Sequence, residues 1–435
     1  LVHNNVPYFL SRPRRFGKSL LLSTMKAYWE GKKELFSGLA IEKLSEDNPN
    51  AWKPYPVFYF DFNGDNYQIT AIETVLDGML CDWEEIYGDQ YNKRTLGDRF
   101  QKLLELAAKK NGSRSVVLID EYDKPLLDTI GNPELQNHIK EVFKGFFSRL
   151  KKADEYIQFI FITGVSKFHK VSIFSDLNQL KDISLTRKYA ALCGITDAEI
   201  KKYFEPEIMA LAEEQGLTQQ ECLDVLRQTY DGYHFHPNGT AVYNPYSLLN
   251  AFSDTEFGSY WFETGTPTFL VKQLKETAFD IRKFTDLTLY ASESMLKDYT
   301  GDSMDPVPLL YQTGYLTISD YDQAGREYTL AFPNEEVKYG FVESLMPEYV
   351  ADCGAGSGND IFTLRRYVEK GQLEEIRNVL TSLFANITYT LESDPFEHYF
   401  QMVIYLVFTL LGKFAICEMH TFKGRVDCVL QARKY

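Results

Sequence analysis

The sequence has few cysteines and no cysteine pattern that binds metal. Its 435 residues contain six cysteines, and no two of them form a Cys-x-x-Cys pair. Structural zinc sites need such closely spaced ligands, and secreted disulfide scaffolds need many cysteines in a short chain. The spacing therefore excludes the familiar zinc motifs. It predicts free thiols in a reducing compartment, which indicates a cytoplasmic protein.

Long apolar runs are also lacking. The most apolar stretch, residues 402–411, is too short to cross a bilayer, because a spanning helix needs about 20 apolar residues. Residues 1–10 have neither a charged start nor a long apolar run, so no signal peptide is predicted. We therefore expect no membrane partner and interpret residues 402–411 as a buried helix.

Positive charge is in deficit. Lys and Arg total 46 against 61 Asp and Glu, which gives a net charge of −15. A surface of this sign repels phosphates, so the surface as a whole is not a nucleic-acid-binding face, although a local basic site stays open. The fractions of 44% hydrophobic and 25% charged residues are those of an ordinary globular protein. The length predicts two to four domains.

Residues 1–190 alternate apolar strands with amphipathic helices. We predict strands at residues 7–10, 56–62, 115–120, 157–163 and 180–185, and helices at 18–30, 70–84, 97–110 and 133–152. The third strand is continuous in Val, Leu and Ile, as expected for a strand that is covered on both faces. This alternation predicts an α/β domain with a mainly parallel sheet.

The pattern changes after residue 190. Capping boxes at Thr196-x-x-Glu199 and Thr218-x-x-Glu221 indicate helix starts. A hairpin of strands at residues 315–320 and 327–332 is predicted to follow helices, so residues 191–352 are interpreted as a helical and winged-helix-like domain. Residues 353–360 are rich in Gly and Ser and predict a linker, with helices and two strands at 414–420 and 426–430 beyond it.

A phosphate-binding loop lies between the first strand and the first helix. Residues 12–19 match G-x-x-x-x-G-K-[ST], except that Arg12 stands at the first glycine position. Gly17 lets the backbone approach a phosphate, and the helix N-terminus directs N–H groups at the anion. Lys18 would neutralise the β- and γ-phosphates, and Ser19 would offer its hydroxyl to Mg²⁺. The plainer alternative is a solvated basic turn before an amphipathic helix.

The predicted nucleotide contacts form one contiguous run. They are Arg14, Arg15, Phe16, Gly17, Lys18, Ser19 and Leu20.

A strand that ends in two carboxylates complements this loop. Asp120 at the carboxyl end of the third strand is predicted to hold Mg²⁺ through water, and Glu121 to polarise the attacking water. Thr163, at the end of the fourth strand, is a candidate sensor of the γ-phosphate. The alternatives are a helix cap for the two acids and a simple strand-end turn for Thr163. Because the strand at residues 56–62 intervenes in the sequence, we expect the loop strand and the acidic strand not to be neighbours in the sheet.

The base specificity favours adenine. Guanine recognition normally uses an Asn-Lys-x-Asp loop, and residues 178–182 read Asn-Gln-Leu-Lys-Asp instead. ATP is therefore the predicted ligand, with Mg²⁺ as its cofactor.

Three other groups of residues are candidates for ligand contacts. His234 and His236 could be two metal ligands, but no third ligand is evident, so a plain turn is favoured. Lys167, with His169 and Lys170 after it, could contact phosphate or DNA, but such a cluster is usually a solvated loop. Arg187 is a conceivable arginine finger for a neighbouring molecule's ATP.

Taken together, the segments resemble the bacterial AAA-ATPase-like family, whose members are often fused to a nuclease-like domain. The resemblance covers most of residues 5–345. It is carried by residues 9–20 (FLSRPRRFGKSL), 118–125 (LIDEYDKP), 163–168 (TGVSKF), 175–184 (SDLNQLKDIS), 242–248 (VYNPYSL) and 260–267 (YWFETGTP). In this family an Arg at the first loop position is normal. The resemblance implies ATP binding more firmly than ATP hydrolysis.

Residues 361–435 resemble a truncated nuclease-like domain of the PD-(D/E)-x-K, restriction-endonuclease-like type. Glu397 in an apolar helix and Asp427 in a strand match two of the family's metal-ligand positions, and DNA is the partner this implies for the full-length protein. A Glu-x-Lys should follow Asp427, but the sequence ends at Tyr435 without it. The chain, which begins at Leu1 without Met, is therefore expected to be a fragment that lacks nuclease activity.

The resulting hypothesis is an ATP-binding protein and Mg²⁺-dependent ATPase that acts as a switch for the nuclease-like domain. Its domains would be residues 1–190, 191–352 and 361–435. One alternative is a regulatory module that binds ATP without hydrolysing it. Another is a parent protein that is chiefly a Mg²⁺-dependent DNA nuclease. The sequence does not determine the oligomeric state.

Overall fold

A computed structural model gives the architecture of the chain. It describes residues 6–48, 51–88, 94–263, 270–271, 274, 277, 279–284, 289–297, 305–349, 364, 366–368, 370–385, 406–407, 414–421 and 424–431.

The N-terminal part is built on a five-stranded parallel sheet, as the alternating pattern predicted. Its strands are β1 (Tyr8–Ser11), β2 (Val57–Asp61), β3 (Ser115–Asp120), β4 (Ile157–Gly164) and the short β5 (Lys181–Asp182). The order across the sheet is β2-β3-β4-β1-β5, and each neighbouring pair is parallel.

The sheet order confirms one prediction. The loop strand β1 and the acidic strand β3 are not neighbours, and the strand between them is β4. Strand β2 pairs with β3 at the sheet edge. The residues that end β4 therefore lie between the phosphate loop and the acidic pair.

Helices cover both faces of this sheet. Those described in the N-terminal part are α1 (Lys18–Trp29), α2 (Ala40–Leu44), α3 (Ile72–Tyr87), α4 (Leu96–Asn111), α5 (Lys124–Asp128), α6 (Pro133–Lys152) and α7 (Lys170–Ile173). Alternate strand residues divide between two cores: Leu10 and Leu118 pack with α1, whereas Phe9 and Ile119 face the α3, α4 and α6 side. This alternation follows from the two-residue period of a strand.

The middle part is helical with a small antiparallel sheet. Its helices are α8 (Asp197–Tyr203), α9 (Glu205–Glu214), α10 (Gln219–Tyr230), α11 (Pro245–Asp254), α12 (Tyr260–Glu263), α13 (Glu293–Lys297), α14 (Val307–Thr313) and α15 (Glu335–Tyr349). Both predicted capping boxes are confirmed: in each, the Thr side chain and the Glu side chain bond reciprocally to the backbone.

The predicted hairpin is confirmed as β7 (Thr317–Asp322) and β8 (Glu327–Ala331). A third strand, β6 (Leu289–Ser292), pairs with β8 and gives the order β6-β8-β7. We did not predict β6, because its four residues are too few to show a clear alternation. The winged-helix-like interpretation of this region stays a prediction.

The described C-terminal elements are α16 (Leu373–Ala385) and an antiparallel pair, β9 (Phe414–Thr421) and β10 (Gly424–Gln431). In the register of this pair, Cys417 lies opposite Cys428. Cys81, Cys193 and Cys222 are free thiols. Nowhere in the described ranges is a helix both long and apolar enough to span a membrane.

Candidate functional site

The phosphate loop forms a tight backbone turn between β1 and α1. Gly17 adopts φ 79°, a left-handed conformation that glycine tolerates without steric cost. Arg15 also has a positive φ of 65°. The turn ends at Lys18, the first residue of α1, so the free N–H groups of this helix lie next to the loop. This is the strand–loop–helix geometry that an anion site requires.

Lys18 is buried among acidic groups. Its side chain is 4% exposed, and its Nζ donates a hydrogen bond to the Pro13 carbonyl at 3.1 Å. Burial lowers the pKa of Lys18, and the nearby carboxylates of Glu121, Asp123 and Asp120 offset part of this effect. A desolvated ammonium of this kind gains from a phosphate partner, because the pair restores the interactions lost on burial.

Arg12 is a structural anchor. Its buried guanidinium donates hydrogen bonds of 2.8–3.1 Å to the carbonyl oxygens of Ser11, Ser184, Tyr189 and Leu192. It also lies 3.9 Å from the ring centroid of Phe235. Burial lowers the pKa of Arg12 to about 10. The residue that replaces the first loop glycine thus fixes the loop to the segment that follows β5.

Asp120 is fully buried beneath the site. Thr163 donates a hydrogen bond from Oγ1 to Asp120 Oδ1 at 2.6 Å, and Tyr59 donates one from its hydroxyl to Oδ2 at 3.2 Å. The donors come from β4 and β2, the two neighbours of β3. The arrangement fixes the Asp120 carboxylate at the carboxyl end of the sheet and joins it to Thr163.

Glu121 follows in a strained backbone conformation. Its φ of 50° is unusual for a residue with a side chain, and such conformations concentrate at functional sites. Burial raises the pKa of Glu121, while Lys18 and a hydrogen bond from Asn63 act in the opposite direction. Asn63 was not singled out from the sequence. The available signal was its position just after β2, where the carboxyl ends of parallel strands meet.

Asp123 is a second residue that sequence reasoning missed. Its buried carboxylate accepts hydrogen bonds from the backbone N–H of Val165 and Ser166 and from the Ser166 hydroxyl, at 2.6–3.2 Å. Burial raises its pKa, and the bonds from Ser166 oppose the rise. Asp123 therefore ties the turn after β3 to the turn after β4.

A cleft of about 690 Å³ lies beside these residues. The wall includes Arg14, Arg15, Gly17, Lys18, Ser19, Asn63, Glu121, Lys124, Asp128, Val165, Thr313 and Tyr315. The volume suits a nucleotide-sized ligand. Ser19 is exposed at the mouth, whereas Asp120 lies below the wall. A hydroxyl and a carboxylate are oxygen donors of the kind that Mg²⁺ prefers, so the residues present fit that ion.

Two of the predicted nucleotide contacts have side chains elsewhere. Phe16 is buried edge-to-face against Tyr233 and Phe235, with ring centroids 4.8 and 5.6 Å away. Leu20 is 70% exposed on α1 and does not line the cleft. Any contribution of these two residues to phosphate binding would come from their backbone N–H groups.

The middle part of the chain contacts the loop directly. The Trp261 indole donates a hydrogen bond to the Arg14 carbonyl at 3.0 Å, and Arg15 lies 4.9 Å from the ring centroid of Tyr246. Gly314 packs so closely on Pro13 that an added Cβ would lie 2.5 Å from its side chain. The site is therefore shared between the N-terminal sheet and the middle helices.

Other predicted site residues are not brought to this cleft. Glu397 lies outside the described residues, and Asp427 lies within β10, so their pairing as metal ligands stays a prediction. His234 donates its backbone N–H to Thr317, and His236 Nδ1 accepts from the Asn238 N–H. Within the described ranges, no group of three or more His, Cys, Asp or Glu residues is arranged to hold a metal.

The solvated-loop interpretation of the lysines after β4 is wrong. Lys167 and Lys170 are buried, and both form ion pairs with Asp182. Arg187 is exposed in a short 3₁₀ turn, and its role as a finger stays a prediction.

Comparison with known proteins agrees with this geometry. A family model described as a predicted AAA-ATPase matches residues 1–174. A protein of Azotobacter chroococcum mcd 1, described as an uncharacterized protein in the vnfD 5′ region, is 35% identical over 436 residues. That match covers 98% of this chain and 80% of the other protein. Residues 1–174 therefore match the AAA-ATPase-like family, a family of predicted AAA-ATPases.

Proposed function

We propose that this protein binds ATP with Mg²⁺ in the cleft at the carboxyl end of the five-stranded sheet and hydrolyses it. The observation that carries the proposal is that Lys18, Ser19 and Glu121 line one cleft, with the Asp120 carboxylate and its partner Thr163 buried beside it. Ligands of parallel α/β sheets bind at this edge, where the strand ends and helix N-termini meet.

The binding roles follow from the electrostatics of the site. Lys18 carries a desolvated ammonium that pairs with the β- and γ-phosphates. The Ser19 hydroxyl and the Asp120 carboxylate would hold Mg²⁺, which when bound neutralises charge on the phosphates. Arg14 and Arg15 line the same cleft and add positive charge beside the phosphates.

Glu121 is proposed as the base that polarises the attacking water. Its raised pKa makes it a stronger base than an exposed glutamate, since basicity increases with pKa. Lys18 and Asn63 keep the carboxylate charged and oriented. Asn63, at the end of β2, is therefore proposed to position Glu121.

The Glu121→Gln variant tests hydrolysis separately from binding. The change preserves size and removes the basic carboxylate, so ATP affinity should persist while turnover falls by about 10²–10⁴-fold. Phosphate release and binding of a fluorescent ATP analogue would be measured on the same preparation. The exposed Glu141→Gln on α6 is the matched control and should leave both quantities unchanged.

Two results would redirect the proposal. Unchanged turnover in Glu121→Gln would assign the base to another residue. Tight ATP binding without turnover in the wild-type protein would instead support a non-hydrolysing regulatory module.

We further propose that the nucleotide state is transmitted to the C-terminal part of the chain. The contacts of Trp261 and Gly314 with the loop supply a physical route, because Gly314 ends α14 and Trp261 is bonded to Glu336 of α15. The nuclease-like interpretation of the C-terminal part rests on Glu397 and Asp427 and is the proposed target of this switch.

A further inference from the structure

A second cleft lies between the end of the parallel sheet and the small antiparallel sheet. Its volume is about 760 Å³, and it shares no lining residue with the nucleotide cleft. The residues that matter here are Lys167, Lys170, Asp182, His236, Tyr321 and Tyr328. The size is within the range of sites that bind small organic molecules.

Positive charge exceeds negative charge at the inner wall. Lys167 and Lys170 both approach the same oxygen, Asp182 Oδ2, at 3.0 and 2.6 Å. The other oxygen, Oδ1, accepts the Ser184 N–H at 2.9 Å. Arg12, also buried, lines a small cavity together with Lys167. Within the cleft, two ammonium groups therefore share one carboxylate, a balance that favours a further anion.

The other charged residues of the cleft do not offset the excess of positive charge. Glu293 and Lys297, on α13, form an ion pair with each other. Burial lowers the pKa of His236, and the nearby Arg187 adds to the effect, so the imidazole is disfavoured as a further cation.

Two buried donor groups in this region are incompletely bonded. Lys167 Nζ, whose side chain is 2% exposed, has its ion pair with Asp182 but no well-aligned hydrogen bond to any described residue. Gln312 Nε2, beside the small cavity that Lys167 also lines, has no hydrogen-bond partner among the described residues. A buried donor without an acceptor is costly, so such groups mark sites where a ligand or water completes the bonding.

The protonation behaviour of Lys167 agrees with this geometry. Burial lowers its pKa to about 8, Asp182 opposes the shift, and the neighbouring cations Lys170 and Arg12 add to it. An anion beside Lys167 would stabilise the charged form.

We propose that this second cleft binds a small organic phosphate, with the phosphate on Lys167 and Lys170 and the organic part against Tyr321 and Tyr328. A phosphate has enough acceptor oxygens to bond both ammonium groups. The two tyrosine rings lie 4.6 Å apart between centroids and give the outer wall an aromatic surface.

The cleft is physically connected to the nucleotide site. Lys167 donates its backbone N–H to Gln312 Oε1 at 2.9 Å, and the next residue of α14, Thr313, lines the nucleotide cleft. Lys167 also follows shortly after Thr163 along the chain. This position suits an effector of the ATP site better than a second substrate.

The test is a calorimetric titration of the full chain with AMP, ribose 5-phosphate and succinate. It is carried out in a Lys18→Ala background, so that the phosphate loop does not contribute. We expect saturable binding of at least one of the two phosphates and weaker binding of succinate. Adding Lys167→Met, which keeps the side-chain stem and removes the charge, should weaken phosphate binding at least tenfold. Lys151→Met is the matched control: Lys151 is exposed on α6 and lines neither cleft, so its replacement should change affinity by less than twofold.

Lys170→Met provides a second variant, which decides the question if Lys167→Met does not fold by circular dichroism. It should also weaken phosphate binding at least tenfold. The proposal is overturned if neither phosphate binds, if succinate binds better than both, or if the folded lysine variant binds as well as its background.

Discussion

At the scale of single residues, Arg12 replaces a turn glycine with a network of bonds. A glycine at this loop position supplies backbone freedom, whereas Arg12 supplies donors to four carbonyl oxygens on two chain segments. Its planar guanidinium can serve several acceptors at once, and it also stacks on Phe235. The position of the phosphate loop is therefore fixed by hydrogen bonds from the Arg12 side chain to the segment that follows β5.

Replacing Arg12 by the usual glycine should destabilise the protein. The Arg12→Gly change leaves buried carbonyl groups without donors, so we expect the free energy of unfolding to fall by about 2–4 kcal/mol. Urea denaturation followed by circular dichroism measures this change. Arg15→Gly is the control: Arg15 is exposed with a positive φ, which glycine accommodates, and should lose little stability. Equal stability of Arg12→Gly and the wild type would refute the anchor role.

The sequence was informative about the chemistry of these residues and much less so about their packing. Lys18, Ser19, Asp120 and Glu121 follow a spacing that ATP chemistry imposes, so their types and order reveal the candidate site. Arg12 looked like a departure from the pattern because its acceptors lie 172–180 residues later, apart from that of Ser11. Contacts over such separations depend on the fold and leave no local signal.

At the scale of elements, the site depends on β4 lying between β1 and β3. This order brings Thr163 to Asp120 at 2.6 Å and makes the threonine a supporting residue of the proposed metal site. Strand positions could be predicted from apolar runs, but the full strand order could not, because it is set by how helices pack on the two faces. That β1 and β3 are not neighbours was predicted, whereas the position of β4 between them was not.

Removing the Thr163 hydroxyl should raise the Mg²⁺ requirement. Thr163→Val keeps the shape of the side chain and removes the bond that orients Asp120, and such supporting bonds affect metal affinity or activity by about 10–100-fold. The measurement is the Mg²⁺ concentration that gives half-maximal phosphate release. Thr163→Ser retains a hydroxyl and should stay close to wild type. An unchanged Mg²⁺ requirement in Thr163→Val would show that the hydrogen bond serves packing alone.

At the scale of the whole molecule, the middle helices complete the proposed nucleotide site. Glu336 on α15 accepts the Trp261 backbone N–H at 2.7 Å, and the Trp261 indole in turn bonds to the Arg14 carbonyl. The chain of bonds runs from a helix more than 300 residues along the sequence to the phosphate loop. The change of sequence pattern after residue 190 predicted a domain boundary there, and it gave no sign that residues on both sides of the boundary would contribute to one site.

Trp261→Phe should weaken ATP binding without unfolding the protein. The phenyl ring keeps most of the packing and loses the indole donor, a change of about 1 kcal/mol or roughly fivefold in affinity. Titration with a fluorescent ATP analogue would detect it. Trp29→Phe is the matched control, because Trp29 is also buried but its indole nitrogen has no hydrogen-bond partner among the described residues. If Trp261→Phe and Trp29→Phe bound the ATP analogue with equal affinity, the middle part of the chain would have no role in nucleotide binding.

The central claim is that the loop preceding α1 binds the phosphates of ATP through Lys18. Its most direct test is an equilibrium titration of the wild type, Lys18→Ala and Lys26→Ala with ATP and Mg²⁺. Lys26 is on the same helix and is 43% exposed, so it controls for loss of a lysine alone. The account predicts saturable binding by the wild type and Lys26→Ala, and a loss on the order of 100-fold or more in a folded Lys18→Ala, given ~3 kcal/mol for a charged bond. Undiminished binding by Lys18→Ala would contradict it.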